Sequence, residues 1–468
     1  TQLLISVSHA AAALPPLTTP PLGDRWFSIS MNGEKVGFAH TNITATAEGY
    51  RITSEGSAKM LVLGFSREAV ARERYEVNRD LTLRSFEVEQ TIDKSPLNLS
   101  GSVSGKNIKV TVSTKGGKSS KTLKSKGAVY PPPAVNIYPL MKGFAVGAKY
   151  ILQMLDVESI KLKEVTVTGI GVDMRNGAEN LHIQNDLYTF VDNDIWLDRY
   201  GNTIEESVRD GLIVTRTEDP AAATFSLLED AVAKKDLVLD FSLVKVDREI
   251  PEPENIRRLV IELAGYPITL PIPEGPGQTA SRQASNRVRI ALTTPLRHSV
   301  ATPLSSAEKA RYLSATHTIN SDHPEIILRL GEILNTGASS EQTLSRLTRW
   351  VADSLEDTVV DSRSAVEALQ LRKGNCQSHT RLYVAMARAA GIPTRMVAGL
   401  VYVKGQGFLY HSWAESYSGG WVAVDPTFGQ MPADVTHIKL VEGDEPDDMA
   451  PLAGMVGRLK ANIIEIVH

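Results

Sequence analysis

Between residues 26 and about 228, apolar and polar positions mostly alternate, and Gly, Asn and Asp punctuate the alternation. Period two is the mark of strands with one buried face. "WFSISMNGEKVGFAH" reads as strand, Asn32-Gly33 turn, strand, because Asn-Gly readily supplies the positive φ of a tight hairpin. "SFEVEQTID", "NLSGSVSGKNIKVTVSTKGG" and "KLKEVTVTGIGV" continue in the same style. Their polar faces carry Lys, Glu, Thr and Ser, which suits an antiparallel sheet with one face on a core, whereas parallel strands would be apolar on both faces. The segment "YPPPAVNIYPL" predicts a loop, since prolines donate nothing to a ladder.

The period changes further along. "DREIPEPEN", Asp247 to Asn255, clusters Pro and acidic residues as linkers do. "IRRLVIELAG" and "RVRIALTTP" then read as a short strand pair. From Ser305, "SSAEKARYLSA", "HPEIILRLGEILN" and "EQTLSRLTRWVADSLED" repeat apolar residues at three- and four-residue spacing, predicting amphipathic helices with Ser305, Asp322 and Ser340 at capping positions. The chain is therefore expected to be α+β. The expected layout is an N-terminal arm or signal remnant (1–25), an antiparallel β domain of sandwich type (26–246), a linker with a short β segment (247–304) and an α+β domain (305–468).

Composition changes this picture little. Hydrophobic residues at 42% and charged residues at 22% suit a folded globular chain, and 468 residues call for two or three domains. Lys and Arg at 50 against Asp and Glu at 54 give a net charge of −4, too balanced to favour nucleic acid. No apolar run reaches the ~18 to 20 residues that cross a bilayer, so a soluble chain is expected. "TQLLISVSHAAAALPPL" resembles the tail of a secretory signal or a docked arm. On the first reading the protein works in a bacterial envelope or outside the cell, where a single cysteine is kept for reactivity rather than for pairing within the chain.

That single cysteine, Cys376, follows Asn375, a favourable N-cap, in "KGNCQSHT". The helix it opens is lined with small and apolar residues and stops at Gly391 and Pro393. The positive end of a buried helix favours thiolate over thiol. The bland reading is a small hydrophobe in a core, and the helix start alone does not separate the two. Three strands follow: the apolar "RMVAGLVYV", then "YHSWAESY" and "WVAVDPTFG" around an "SGG" turn. If Tyr417 pairs with Trp421, Asp425 opposes Trp413 and lies diagonal to His411 on the same face, near enough for a carboxylate to reach an imidazole. Cys376, His411 and Asp425 are then a nucleophile, a base and its orienter.

"GNCQSHTRLYVAMARAAGIPTRMVAGLVY", "HSWAESY" and "WVAVDPTFGQ" resemble the three blocks of the transglutaminase-like superfamily, over roughly Pro324 to Leu440, about a quarter of the chain. The resemblance implies a papain-like α+β domain with Cys376 as nucleophile, His411 as base and Asp425 as third member. Trp413 and Pro426-Thr427 are typical neighbours, and Asn375, Gln377 and Trp413 are expected to line the pocket. Departing from animal transglutaminases, the chain shows no acidic cluster like their calcium sites. Neither a cofactor nor a metal is called for.

Other residues carry blander readings. His379, three residues after Cys376, is a rival base without an orienting carboxylate, and a polar contact near the pocket is its simpler role. Glu415 reads as a partly exposed strand-end carboxylate and Trp350 as core. His317 and His323 lack metal-ligand spacing and read as surface residues or caps. The basic run Lys115 to Lys126 reads as a solvated hairpin tip. The expected activity is thiol-dependent acyl transfer on peptide or amide bonds of a peptide or protein substrate, hydrolytic by preference, with an envelope partner met through the β domain. A protein cross-linker, a non-catalytic scaffold and an apolar-ligand carrier are the alternatives.

Overall fold

The computed structural model describes residues 13–62, 65–93, 95–114, 117–175, 177–188, 191–223, 243–294, 303–334, 337–358 and 361–468. They fall into two compact units, one drawn from Thr1–Leu61 and Ser66–Leu237 and the other from Val62–Phe65 and Val238–His468.

In the first unit the alternating pattern becomes a single sheet of fifteen strands. Its strands follow one another antiparallel from Gly23–Met31 to Gly117–Lys124, and a second run ends at Ile213–Thr217, which pairs back onto Gly23–Met31. The Asn32-Gly33 hairpin is present with both residues at positive φ, 49° and 82°, the backbone that matches strand twist. The expected sandwich of two sheets is instead one continuous sheet over one core. Ile52, Tyr75, Val88 and Ile108 from the first run meet Val165, Val167, Ile183 and Ile195 from the second, all fully buried.

The Pro-rich segment expected as a loop is a 3-10 turn, Pro132–Ala134, and a short helix, Tyr138–Lys142. Proline is tolerated in a first helical turn, and the segment has Ala134, Val135, Ile137 and Leu140 to bury in the core. Residues 1–12 of the N-terminal stretch and its start as a signal or arm lie outside the described residues. From Leu14 the chain is docked, with Leu14 and Leu17 donating backbone hydrogen bonds to Phe144 and Leu140 and packing on the core. No helix among the described residues is long and apolar enough to cross a membrane.

The second unit holds two four-stranded sheets. In one, Gln278–Ala284, Arg287–Thr293, Arg258–Ala264 and Lys460–Val467 lie in that order. The expected strand pair is present as Arg258–Ala264 beside Arg287–Thr293, and Gln278–Ala284 and the last strand of the chain extend it to four strands. Val244 and Val246 already bridge to Phe408 and Ala461, so this unit begins before the expected border at 246/247. The other sheet has the order Trp421–Val424, Gly407–Tyr417, Thr394–Val403, Ile438–Glu442. Leu400, Phe408 and Leu440 pack one of its faces against Leu259, Ile261 and Ile290. Met396, Ala414 and Val424 pack with the helices Pro324–Ile333, Ser340–Ser354, Ala365–Leu371 and Cys376–Ala389. Burial on both sides is why Thr394–Val403 is apolar almost throughout.

Helix starts differ from expectation by one residue in two cases. Ser305 caps Ser306–Arg311 in a capping box with Glu308, but Ser339 rather than Ser340, and His323 rather than Asp322, cap the next two. The ring of His323 accepts from the backbone of Glu325, with Pro324 at the first helical position.

Glu415, expected at an exposed strand end, is 1% exposed. Its carboxylate takes Lys439 Nζ at 3.0 Å and Arg395 Nε at 2.8 Å, and both cations also reach Glu442. The backbone around Gly275 covers it so closely that a Cβ there would lie 3.0 Å from Glu415 Oε1. Gln278 closes the contact by exchanging two 2.9 Å hydrogen bonds with the backbone of Lys439. Removing one partner of a buried pair leaves the other uncompensated. Lys439→Met is therefore expected to destabilise the second unit by roughly 3 kcal/mol, read as a lower urea midpoint at unchanged slope.

Candidate active site

Cys376 is the first residue of the helix Cys376–Ala389. Asn375 caps this helix, its Oδ1 accepting from the Ser378 backbone at 3.1 Å and from the Ser378 hydroxyl at 3.2 Å. Ser378 Oγ in turn accepts from the backbone of Ser362, which fastens the helix start to the preceding segment. The Thr380 hydroxyl lies 2.8 Å from the Cys376 carbonyl and 3.0 Å from that of Ser412. The turn carrying the cysteine is thereby joined to the strand position next to His411. Deeper in, Tyr383 meets Ser416 at 2.9 Å.

Tyr417 faces Trp421 across a three-residue loop, and Ala414 faces Val424. This odd-loop register brings Asp425 to His411, with His411 Nε2 at 2.7 Å from Asp425 Oδ2. The Cys376 side chain lies beside the same ring and acts on its charge. With Nε2 engaged by the carboxylate, Nδ1 is the nitrogen left for sulfur. Cys376, His411 and Asp425 thus stand in succession, half-buried, 8% exposed and fully buried respectively.

Asp425 is held from both sides. Its Oδ1 accepts from the backbone N–H of Thr427 at 2.8 Å and of Phe428 at 3.2 Å, inside a loop closed by paired Asp425–Gln430 backbone bonds of 2.9 Å. Its Oδ2 also receives Nε2 of His437 at 2.9 Å. Burial favours the neutral acid, yet His411 and His437 outweigh it and hold the carboxyl well below the usual range. Burial likewise opposes the charged ring of His411, but Asp425 and Cys376 together push its pKa up to about 10.

His437 was not singled out from the sequence, which offers no motif around it. It arrives because the strand Ile438–Glu442 pairs with Thr394–Val403 at a register shift between Ala398 and Gly399. A Cβ on Gly399 would lie 1.9 Å from the Ile438 carbonyl, so only glycine admits the approach. Phe428, half-exposed, stacks on His411 with centroids 5.0 Å apart and an interplanar angle of 6°.

Of the expected pocket residues, Asn375 and Gln377 lie beside Cys376, whereas Trp413 lies behind the site. Trp413 is 1% exposed and packs behind the two rings, 5.3 Å from His437 and 6.4 Å from His411. It has no surface to offer a substrate, because its strand is covered on that face. Asn375 and Gln377 are half-buried beside Cys376. Asn375 is engaged as the cap, and Gln377 Oε1 accepts from Arg381 at 2.8 Å. The rival base His379 directs Nδ1 at the Asn375 carbonyl, 2.9 Å away, and is buried. Ligand atoms of His411, Asp425 and His437 lie within 4.8 Å of one another, a convergence that the two imidazole–carboxylate hydrogen bonds account for.

A thiol at a helix start, an imidazole and a buried carboxylate on an antiparallel sheet thus lie together, in a region whose family match supports a cysteine-type catalytic family. Residues 330–426 match the model of the Transglutaminase-like superfamily, and the chain carries a transglutaminase-like domain there. An "Uncharacterized protein" of Mycobacterium leprae (strain TN) is 28% identical over 130 residues, 26% of this chain and 46% of the relative. The chain thus spans less than half the length of that relative. Among solved structures, a "Putative Cysteine Protease from Cytophaga hutchinsonii" aligns with 46% of this chain and 89% of its own at 15% identity and a TM-score of 0.29. A "Beta-barrel-like Protein of Domain of Unknown Function DUF1849 from Brucella abortus" aligns with 43% of this chain and 97% of its own at 12% identity and 0.34. Scores this low carry no argument about fold.

The two shifts have opposite consequences for stability. His411 is raised from 6.5 to about 10, so its contribution is complete below pH 6.5 and is lost as pH rises through 10. Asp425 is lowered from 3.8, so its contribution is present above pH 3.8 and is lost as pH falls. The destabilisation caused by His411→Ala should accordingly be greater at about pH 5 than at about pH 9, as compared by urea midpoints of the two proteins.

Proposed function

We propose that the transglutaminase-like domain performs thiol-dependent acyl transfer on peptide or amide bonds, with hydrolysis as the outcome, in a bacterial envelope or outside the cell. The observation that carries this reading is the ring of His411, set beside Cys376 and hydrogen-bonded to Asp425. In this reading the Cys376 thiolate attacks the carbonyl carbon, a C–S bond forms, and the carbonyl electron pair moves to oxygen. The backbone N–H of Cys376, one of the unsatisfied donors of a helix start, faces the resulting oxyanion. Collapse breaks the C–N bond, the amine departs with the proton of His411, and a thioester remains. A water molecule gives a proton to His411 and adds to the thioester, which releases the acid and restores the thiolate and imidazolium. Asp425 fixes the ring tautomer and stabilises its cationic form throughout.

Hydrolysis is preferred over transfer to an amine because water needs no binding site of its own. The β unit would then present the substrate or meet an envelope partner. A non-catalytic scaffold has no use for a thiol placed against an imidazole, and this counts against that alternative.

Two probes test the reading. Iodoacetamide at about pH 6 should alkylate Cys376 at least tenfold faster in the wild type than in His411→Ala, followed by intact mass. p-Nitrophenyl acetate should acetylate Cys376, and the acetyl group should be lost to water faster than it passes to added dansylcadaverine. Equally slow alkylation in both proteins would remove the enzyme reading, and predominant capture by the amine would replace hydrolysis with cross-linking.

A further inference from the structure

Beyond His411 and Asp425 the hydrogen-bonded chain continues. His437 is 6% exposed and lies between two groups that can only accept. Its Nε2 is 2.9 Å from Asp425 Oδ2, while its Nδ1 is 3.1 Å from the Asp434 carbonyl and 3.2 Å from Asp434 Oδ1. A neutral imidazole has one donor and one acceptor nitrogen, so either neutral tautomer would set a lone pair against oxygen in a buried place. Only the doubly protonated ring satisfies both contacts.

Asp434 is itself fixed as an anion. Its Oδ1 accepts from the Thr436 backbone at 2.9 Å and the Thr436 hydroxyl at 2.6 Å, and its Oδ2 accepts from Gln430 Nε2 at 3.0 Å. Gln430 also closes the loop that holds Asp425, so both carboxylates are braced by one residue. Although burial opposes charge on both His437 and Asp434, their partners override it, raising the pKa of the ring and lowering that of the carboxyl. Among the described residues, the ionisable groups facing this chain are Cys376 at the helix start, His411 on its strand, Asp425 in the loop, and Asp434 with His437 before the last strand of the sheet. Lys439 points elsewhere, to Glu415 and Glu442.

We propose that His437 is a positioning residue for the acyl-transfer site, a resident imidazolium that shares Asp425 with His411 and thereby sets the pH range over which the thiolate–imidazolium pair exists. The proposal rests on the functional reading above. A thiolate and two carboxylates with His411 as their only cation would be a buried cluster with excess negative charge. The second cation lowers that excess, and it also weakens the hold of Asp425 on the proton of His411. Asp425 is kept aimed at His411 without drawing the proton of His411 so strongly that none can be given to a leaving amine.

The test uses the full chain with His437→Gln, whose amide can still donate to Asp425 but carries no charge. Loss of a cation about 6 Å from His411 disfavours the thiolate and favours the imidazolium. Both limbs of the pH profile should therefore move upward by about one unit, the acid limb read by iodoacetamide alkylation and the alkaline limb by p-nitrophenyl acetate acylation. A residue that merely filled space would change amplitude and leave both limbs in place. A second measurement does not depend on activity. In protein labelled with 15N-histidine, both ring nitrogens of His437, assigned by their absence in His437→Gln, should carry the imidazolium signature at about pH 7.5. In Asp434→Asn, which keeps both contacts, they should titrate at lower pH than in the wild type. Limbs that stay in place in a folded His437→Gln, or a neutral His437 ring in the wild type, would overturn the proposal. Slow alkylation of the wild type beside an intact imidazolium signal would instead count against the enzyme reading.

Discussion

A carboxylate with no exposed surface persists as an anion only where donors replace the water it has lost. Around Asp425 there are four, the backbone N–H groups of Thr427 and Phe428 on one oxygen and the rings of His411 and His437 on the other. The orientation of the His411 ring, its charge and its readiness to face Cys376 depend on this arrangement. The donors come from the loop after Asp425, the strand of His411 and the segment before Ile438–Glu442, and the second unit brings these together.

The means are ordinary strand and helix mechanics. A three-residue loop sets the register that carries Asp425 to His411, and paired backbone bonds with Gln430 close the following loop over it. Burial of the sheet on both faces fixes that register, because a one-residue slip would turn apolar side chains such as Ala414 and Val424 away from the helices they pack against. Thr380 ties the first turn of the cysteine helix to Ser412, and the absence of a side chain at Gly399 lets the last strand come close enough to deliver His437. The buried ions of Glu415, Arg395, Lys439 and Glu442 sit in the same sheet. They join its two central strands to the edge strand Ile438–Glu442, with Gln278 as a further clasp.

Charge balance joins this architecture to function. In the proposed state a thiolate, an imidazolium, a carboxylate, a second imidazolium and a second carboxylate would alternate in sign from Cys376 to Asp434, each charge beside its opposite. Alternation of this kind would let one proton move between His411 and a reacting group without leaving an isolated charge in a medium of low dielectric. Phe428, stacked on the open side of His411, excludes water from that ring and leaves the hydrogen bond to Asp425 undisturbed.

The sequence by itself determined what depends on neighbours along the chain. The Asn32-Gly33 hairpin, the helix that begins behind Asn375 and ends at Gly391, the apolar central strand and the odd loop pairing Tyr417 with Trp421 are all local in origin. Local period and turn chemistry carry such information. The nearness of Cys376, His411 and Asp425 was legible because two of the three share a hairpin and the third opens a helix with a recognisable cap. Only the tertiary structure decided the rest. The expected strand pair became a four-stranded sheet because the final strand of the chain pairs with it, and the sandwich became one sheet because Ile213–Thr217 returns to Gly23–Met31. Trp413 and Glu415 were buried by segments far away in sequence, and His437 reached Asp425 through a strand added at the far edge of the sheet. Such contacts follow from which surfaces are covered, and the pattern of residues along a strand records that a face is buried without recording what lies upon it.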